Sequence, residues 1–334
     1  MANQYFIKIN KTLLKIAKIV CIIIFSLFVL LSIIPYLIPV NQGIIYEKNL
    51  PFKESQFLYI DGKRWHYRQF IPKNETKANI ILIHGFSGST FSWRNNQQVL
   101  ADSGYHVISI DLPAFGYSEK NNNAFDHSAI GHANNIWKLI DSLDLKADSF
   151  AVIGHSMGAA VAWSFAGLRP QSILNVFLVD GAGSMGSSKG SWSSSVLKFC
   201  MKYPPLLRWA DVLGGTMFFK QKKFVKLLNS AYSQKADSVS AAGYLAPFML
   251  KNSGRAVIES FIYNKNHTEP DYTKLKCPVQ LIWGSNDKWL PISLGEKFIE
   301  KYPSANLYKI EGAGHCPMET HSKDFNSYIL GFFK

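Results

Sequence analysis

Cysteine is scarce in this chain, with four in 334 residues. Four thiols cannot staple a fold of this length, so a disulfide scaffold is excluded. They are Cys21, Cys200, Cys277 and Cys316, and none belongs to a C-x-x-C pair or to a His/Cys spacing that would hold a metal, so no metal site is expected. Cys277 precedes one expected strand and Cys316 follows another, which puts them at opposite sheet edges, too far apart to bridge. A G-x-x-x-x-G-K-[ST] phosphate loop is missing too. Gly181-Ala182-Gly183 lacks the third glycine and the following helix of a dinucleotide site. No internal repeat and no low-complexity tract interrupts the chain. Acidic residues are absent from 1–18, where Lys8, Lys11, Lys15 and Lys18 stand.

The composition is 47% hydrophobic and 14% aromatic, ample for a core and incompatible with a disordered polymer. Lys and Arg total 36 against 23 acids, a net charge of +13 that suits either nucleic acid or an anionic membrane. Location separates the two. Residues 184–276 hold 14 Lys+Arg against 5 Asp+Glu, the first 18 residues carry four lysines, and the remainder balances at 18 and 18. No nucleic-acid motif accompanies either cluster, so no nucleic-acid partner is expected and the surplus points to a membrane.

Residues 19–40, IVCIIIFSLFVLLSIIPYLIPV, are free of charge. At 1.5 Å per residue this run crosses a hydrocarbon core of ~30 Å. A cleaved signal peptide, the alternative, would have a shorter apolar region and an A-x-A site, whereas this run ends in Pro-Val-Asn-Gln. An uncleaved single-pass signal anchor is the reading. The preceding lysines place the N-terminus in the cytoplasm and the rest outside it, periplasmic or extracellular. The expected organisation is a basic tail (1–18), the span (19–40), a connector (41–55), a core (56–183 and 277–334) and a helical insertion (184–276).

FLYI (57–60) and WHYRQF (65–70) flank Asp61-Gly62, a hairpin signal. Apolar runs at 79–85, 106–113, 150–156, 174–181, 279–287 and 306–315 are expected as buried parallel strands. Helical periodicity falls at 93–102, 128–143, 157–168, 292–302 and 322–332. This alternation predicts a mostly parallel, doubly wound α/β fold. The interval 184–276 shows no strand. Segments 192–203, 220–233 and 254–264 read as amphipathic helices, entered through a Ser-rich hinge at 184–195.

Gly154-His155-Ser156-Met157-Gly158 fits G-x-S-x-G between an apolar strand and a helical run. A sharp strand-to-helix turn lifts the Ser156 hydroxyl above the sheet and sets a helix N-terminus behind it. A serine needs a general base. His315, in Gly312-Ala313-Gly314-His315 after the last strand, is the choice, with His321 the runner-up at the start of the final helix. Asp287, in WGSND, supplies the orienting acid; Asp180, at an earlier strand end, is the alternative because either loop can reach the histidine. The amides of Phe86 and Met157 are the expected oxyanion donors, in a loop shaped by His84 and Gly85. Phe86, Phe115, Met157 and Leu290 are expected to wall an acyl pocket. Lys220, Lys222, Lys223 and Lys226 interleave with Phe219, Phe224, Leu227 and Leu228, either as a solvated face or as a surface for anionic lipid.

The segments HGFSGSTFSWR, DLPAFGYSEK, GHSMGAA, WGSNDKWLP and GAGH resemble the α/β-hydrolase superfamily, in matching order over about residues 55–334. Trp93-Arg94 and Asp111-Leu112-Pro113 resemble its epoxide-hydrolase and haloalkane-dehalogenase branch. The nucleophile there is Asp; Ser156 points instead to serine esterases. The whole pattern is similar to membrane-anchored bacterial lipase/esterases and monoacylglycerol-lipase-like hydrolases. Ala159 departs from the second glycine of many relatives. The resemblance implies an α/β-hydrolase fold with a helical cap between two strands, no cofactor, and hydrolysis of a lipid or other ester. Amide, thioester or carbon–carbon cleavage, or a silent binding protein on the same fold, are the competing readings.

Overall fold

The computed structural model describes residues 2–40, 50–120, 125–145, 147–183, 202–213, 221–263 and 265–333. Eight strands form one sheet: β1 (Ser55–Ile60), β2 (Lys63–Phe70), β3 (Asn79–Ile83), β4 (His106–Ile110), β5 (Phe150–His155), β6 (Ile173–Val179), β7 (Val279–Gly284) and β8 (Asn306–Ile310). Their order is β1-β2-β4-β3-β5-β6-β7-β8, and only β2 runs against the others. The β1–β2 turn is Asp61-Gly62, both residues at positive φ, as a two-residue hairpin of this twist requires.

Strand alternation builds two apolar layers. On β3, Ile81 and Ile83 enter one layer and Ile80 and Leu82 the other; β5 sends Val152 to the first and Ala151 and Ile153 to the second. Helices cover both faces: α2 (Gln97–Asp102), α3 (Ala129–Asp141), α4 (Met157–Leu168), α9 (Ser293–Lys301), α10 (Pro317–Thr320) and α11 (Ser322–Gly331). The first layer holds Trp137, Trp163 and Phe298; the second holds Leu100, Phe325 and Ile329. Three expectations are corrected here. The helix placed at 93–102 begins at Gln97, after a 3-10 turn over Thr90–Trp93. β8 is a half-exposed edge strand, because it has a neighbour on one side only. Cys277 and Cys316 sit at opposite strand ends of neighbouring β7 and β8, not at opposite sheet edges, and both are free thiols.

Between β6 and β7 lies a helical cap: α5 (Pro204–Leu213), α6 (Gln221–Tyr232), α7 (Ser238–Leu245) and α8 (Ser253–Ile262). The Ser-rich hinge 184–195 and most of the helix expected at 192–203 fall outside the described residues. Sequence periodicity did not single out α5 or α7. Prolines in the first turn of α5 cost no hydrogen bond, and Asp237 caps α7 by accepting from the Ser240 amide at 2.6 Å.

The N-terminal helix α1 runs Ala2–Leu37, with a mostly exposed apolar stretch over Leu13–Leu37 that is long enough to cross a membrane. It includes Lys15 and Lys18 and stops before Pro39, so its bounds differ from the expected 19–40. Its end docks on α5. Pro35 has no amide to offer the Leu31 carbonyl, and the Trp209 indole N–H donates there at 2.8 Å. The Arg208 guanidinium donates to the orphan end carbonyls of Pro35 and Ile38 at 3.1 and 3.0 Å. Tyr203 stacks on Phe28, and its hydroxyl lies 2.8 Å from that of Ser32.

Candidate active site

The nucleophile elbow follows from two glycines. A side chain on Gly154 would strike the Gly158 carbonyl, and one on Gly158 would reach the Ile83 and His84 carbonyls at 2.5 Å. Only bare backbone lets α4 start this close to β3 and β5. The turn forces Ser156 to φ +53°, a strained position for a residue with a side chain, held by its amide donating to Val179 at 2.8 Å. Ala159, in place of a glycine, is fully buried in the first apolar layer.

Ser156, Asp287 and His315 come together from three strand ends. His315 Nε2 lies 3.1 Å from Ser156 Oγ, and its Nδ1 donates to Asp287 Oδ2 at 2.8 Å. Asp287 Oδ1 accepts from the Trp289 and Leu290 amides at 2.7 and 3.1 Å. Burial raises the Asp287 carboxyl, but His315 and the two amides outweigh it and hold the group below its usual range, charged at neutral pH. The His315 ring lies between Trp289 and His155, at centroid distances of 5.1 and 4.9 Å.

His155 fixes the same loop, with Nε2 donating to the His315 carbonyl at 2.6 Å. Burial drives its pKa down to about 3, so it stays neutral. His84 is buried; Nε2 accepts from the Leu112 amide at 3.0 Å, which leaves Nδ1 to donate to the Gly85 carbonyl at 2.7 Å. It braces the loop and faces no reacting atom. A Cβ on Gly85 would press on His155 Nδ1 at 2.8 Å. Met157 is the first residue of α4, so its amide has no intrahelical acceptor, and neither it nor the Phe86 amide donates within the described loops. Both are free to receive an oxyanion.

Above the serine is a cavity of about 380 Å³, lined by Phe86, Phe224, Leu227, Leu228, Tyr244 and Trp289 among others. Its described lining contains no Lys, Arg, Asp or Glu. The expected pocket residues are corrected. Phe115 is buried behind Phe86, whose ring it meets edge-on at 5.3 Å, and Leu290 and Met157 pack on the core. None of the three lines the cavity. The cap lining was not foreseen, although the i, i+4 pair Phe224 and Leu228 on an amphipathic helix was a readable signal.

The cap is bound to the core beside the site. Buried Glu319 receives Arg94, the Tyr244 hydroxyl and, at 2.7 Å, the Tyr232 hydroxyl. The His315 amide donates to the cap carbonyl of Ala231 at 2.6 Å, an approach open because residue 314 is glycine. Ser230 and Ser233 bond Trp289 and the Asn286 carbonyl. Asp180, Asp287 and His315 bring their ligand atoms within 4.8 Å of one another, the one such cluster among the described residues. Asp287 and His315 are engaged with each other, which suits a triad better than a metal site.

Residues 78–322 match the family described as alpha/beta hydrolase fold. Lipase 3 of Moraxella sp. (strain TA144) is 29% identical over 258 residues, covering 75% of this chain and 76% of that protein. The 2-hydroxy-6-oxononadienedioate/2-hydroxy-6-oxononatrienedioate hydrolase of Cupriavidus pinatubonensis is 24% identical over 292 residues, covering 83% and 94%. The crystal structure of a membrane phospholipase A, called a bacterial virulence factor, superposes with a TM-score of 0.62 at 21% identity, covering 97% of this chain and 98% of its own. With an eight-stranded sheet, a nucleophile elbow and a family match over most of its length, the chain belongs to the α/β-hydrolase family.

Proposed function

We propose that this protein is a membrane-anchored serine hydrolase of carboxylic esters, acting on lipid or monoacylglycerol-type substrates. The observation that carries this reading is a Ser156–His315–Asp287 array opening into a cavity whose described lining holds no Lys, Arg, Asp or Glu. Ser156 attacks the ester carbonyl while His315 Nε2 takes its proton, and Asp287 balances the imidazolium. The Phe86 and Met157 amides hold the oxyanion. His315 then protonates the leaving alcohol, and water releases the acyl group by the reverse sequence.

Hydrolysis of a carbon–carbon bond is the second reading, since a relative is named for a dienedioate. A dicarboxylate calls for cations in its pocket, and the described lining supplies none. The apolar α1 supports an anchor, with its lysines on the cytoplasmic side and the hydrolase outside. Docking of α1 on α5 supports a cap held near the bilayer, where exposed Lys222 and Lys226 face anionic lipid. The test is a chain-length series of p-nitrophenyl esters beside the dienedioate, on the wild type and Ser156→Ala. Preference for chains of eight or more carbons is expected, with Ser156→Ala silent. Turnover of the dienedioate alone, or an acetyl preference, overturns the lipid reading.

A further inference from the structure

Asp180 follows β6, between the nucleophile strand and the acid strand. It is fully buried, and its backbone takes φ +41°, a left-handed conformation stabilised by its amide donating to Ile282 at 2.8 Å. Oδ1 accepts from the Gly284 amide at 2.9 Å; Oδ2 is buried with no hydrogen-bond partner at standard distance. The groups facing it are the Asp287 carboxylate and the His315 ring, within 4.8 Å, and the buried Cys316 thiol. No Lys or Arg is among them within the described residues. Two carboxylates at that separation in a dry site cannot both be charged. Asp287 has three donors to hold its charge; Asp180 has one. The proton therefore belongs to Asp180, and burial together with the neighbouring Asp287 charge pushes its carboxyl well above the usual range.

We propose that Asp180 is a positioning residue of the catalytic unit: an uncharged carboxylic acid set against Asp287 in the intact site, and the histidine's substitute partner when Asp287 is removed. The second half rests on the triad reading above; the first does not. In the intact enzyme no proton leaves Asp180 during turnover. The Ser156 proton goes to His315, and the single negative charge on Asp287 balances it. When Asp287 is cut back to alanine, Asp180 ionises and turns toward His315 Nδ1.

Two measurements test this on the full-length protein. Infrared spectra at neutral pH should show the C=O stretch of a protonated carboxyl that disappears in Asp180→Asn. Its absence from the wild type overturns the proposal whether or not the protein hydrolyses esters. For catalysis, loss of a sole triad acid costs about 10⁴ in kcat. Asp287→Ala should instead keep at least about 1% of activity, a loss of no more than about 100-fold, and Asp180→Asn/Asp287→Ala should fall at least tenfold further. Asp180→Asn alone, which still accepts from Gly284 and donates toward Asp287, is the single-variant reference against which the coupling in the double variant is read. A double variant no worse than Asp287→Ala overturns the substitute role. If the wild type hydrolyses no ester, the functional reading falls and the infrared band still decides the state of Asp180.

Discussion

In the hydrolase core, Ile80 to Ile83 on β3 and Phe150 to Ile153 on β5 enter two apolar layers in alternation, and backbone meets backbone at Gly154 and Gly158. In the cap, α6 buries only Phe224, Leu228, Ala231 and Tyr232, and leaves Lys222, Lys223 and Lys226 exposed. The core is electrically balanced, and the surplus charge lies in the insertion and the N-terminal tail. What joins the two regions is both apolar and polar: Leu228, Ala231 and Ala241 pack into the second core layer, Glu319 binds Arg94 and two tyrosines, and the His315 amide donates to Ala231. An apolar body thus carries Ser156, while a seam that includes these hydrogen bonds positions His315 and the pocket roof.

The strongest way to break that contrast is to make one substitution in each region. Gly158→Ala drives a methyl into two fixed carbonyls, which cannot move aside without opening β3. A cost of at least about 3–5 kcal/mol is expected, a Tm fall of roughly 10 °C or more, with activity lost. Gly243→Ala in α7 meets first the outer end of the Phe91 ring, a side chain rather than backbone, so its Tm should fall by less than about half as much. Thermal melts of the two variants make the comparison; equal losses would mean that the cap is as tightly built as the core.

The seam comes next. Glu319→Gln leaves the Arg94 cation, itself largely buried, without its counter-charge and should cost about 3 kcal/mol in urea unfolding. Tyr244→Phe removes one hydroxyl from that group and should cost about 1 kcal/mol. Because the same helix end holds the His315 loop, Glu319→Gln should also lower kcat on short soluble esters, whereas a cap hinged far from the catalytic loops would leave kcat alone.

A smaller effect comes from acid, and it too falls on the core. Burial lowers His84, His127, His132 and His155: His127 to about 4, His155 to about 3, His132 well below its usual value, and His84 below it as well. All four are neutral in the fold and bind protons near pH 6.5 once unfolded. Stability is therefore complete above that pH and is lost as pH falls toward 4 and below. The urea midpoint should begin to drop near pH 6, before the carboxylates titrate.

Much of this was legible in the sequence because it is local. The hairpin is encoded by Asp61-Gly62, the elbow by five consecutive residues, and Asp287 and His315 by short motifs that end strands. The pocket was not legible for the opposite reason. Phe115 stands near the His84–Gly88 loop in the chain order of the fold, yet Phe86 covers it, and its place over the serine is taken by Phe224 and Leu228, more than 60 residues beyond Ser156. The Glu319 clamp joins residues 225 apart in sequence through Arg94, and no periodicity reports such a pairing. Asp180 and Asp287 both looked able to serve His315; which one does is decided by three donors against one, a matter of tertiary geometry.

The smallest expected effect separates the outer face of the cap from its inner one. Leu228 and Leu227 line the cavity, while Lys222 and Lys226 on the same helix are exposed. Lys222→Gln/Lys226→Gln removes no pocket atom, so kcat/KM on a soluble short-chain ester should stay within about twofold. Each lysine near an anionic bilayer is worth about 1 kcal/mol, or about fivefold. Reconstituted in vesicles, the wild type should hydrolyse lipid esters faster when anionic lipid is present, and the double variant should lose most of that preference while matching the wild type in zwitterionic vesicles. Equal rates of wild type and variant in both vesicle types would mean that α1 alone holds the enzyme to its substrate, and that the basic face of α6 is simply solvated.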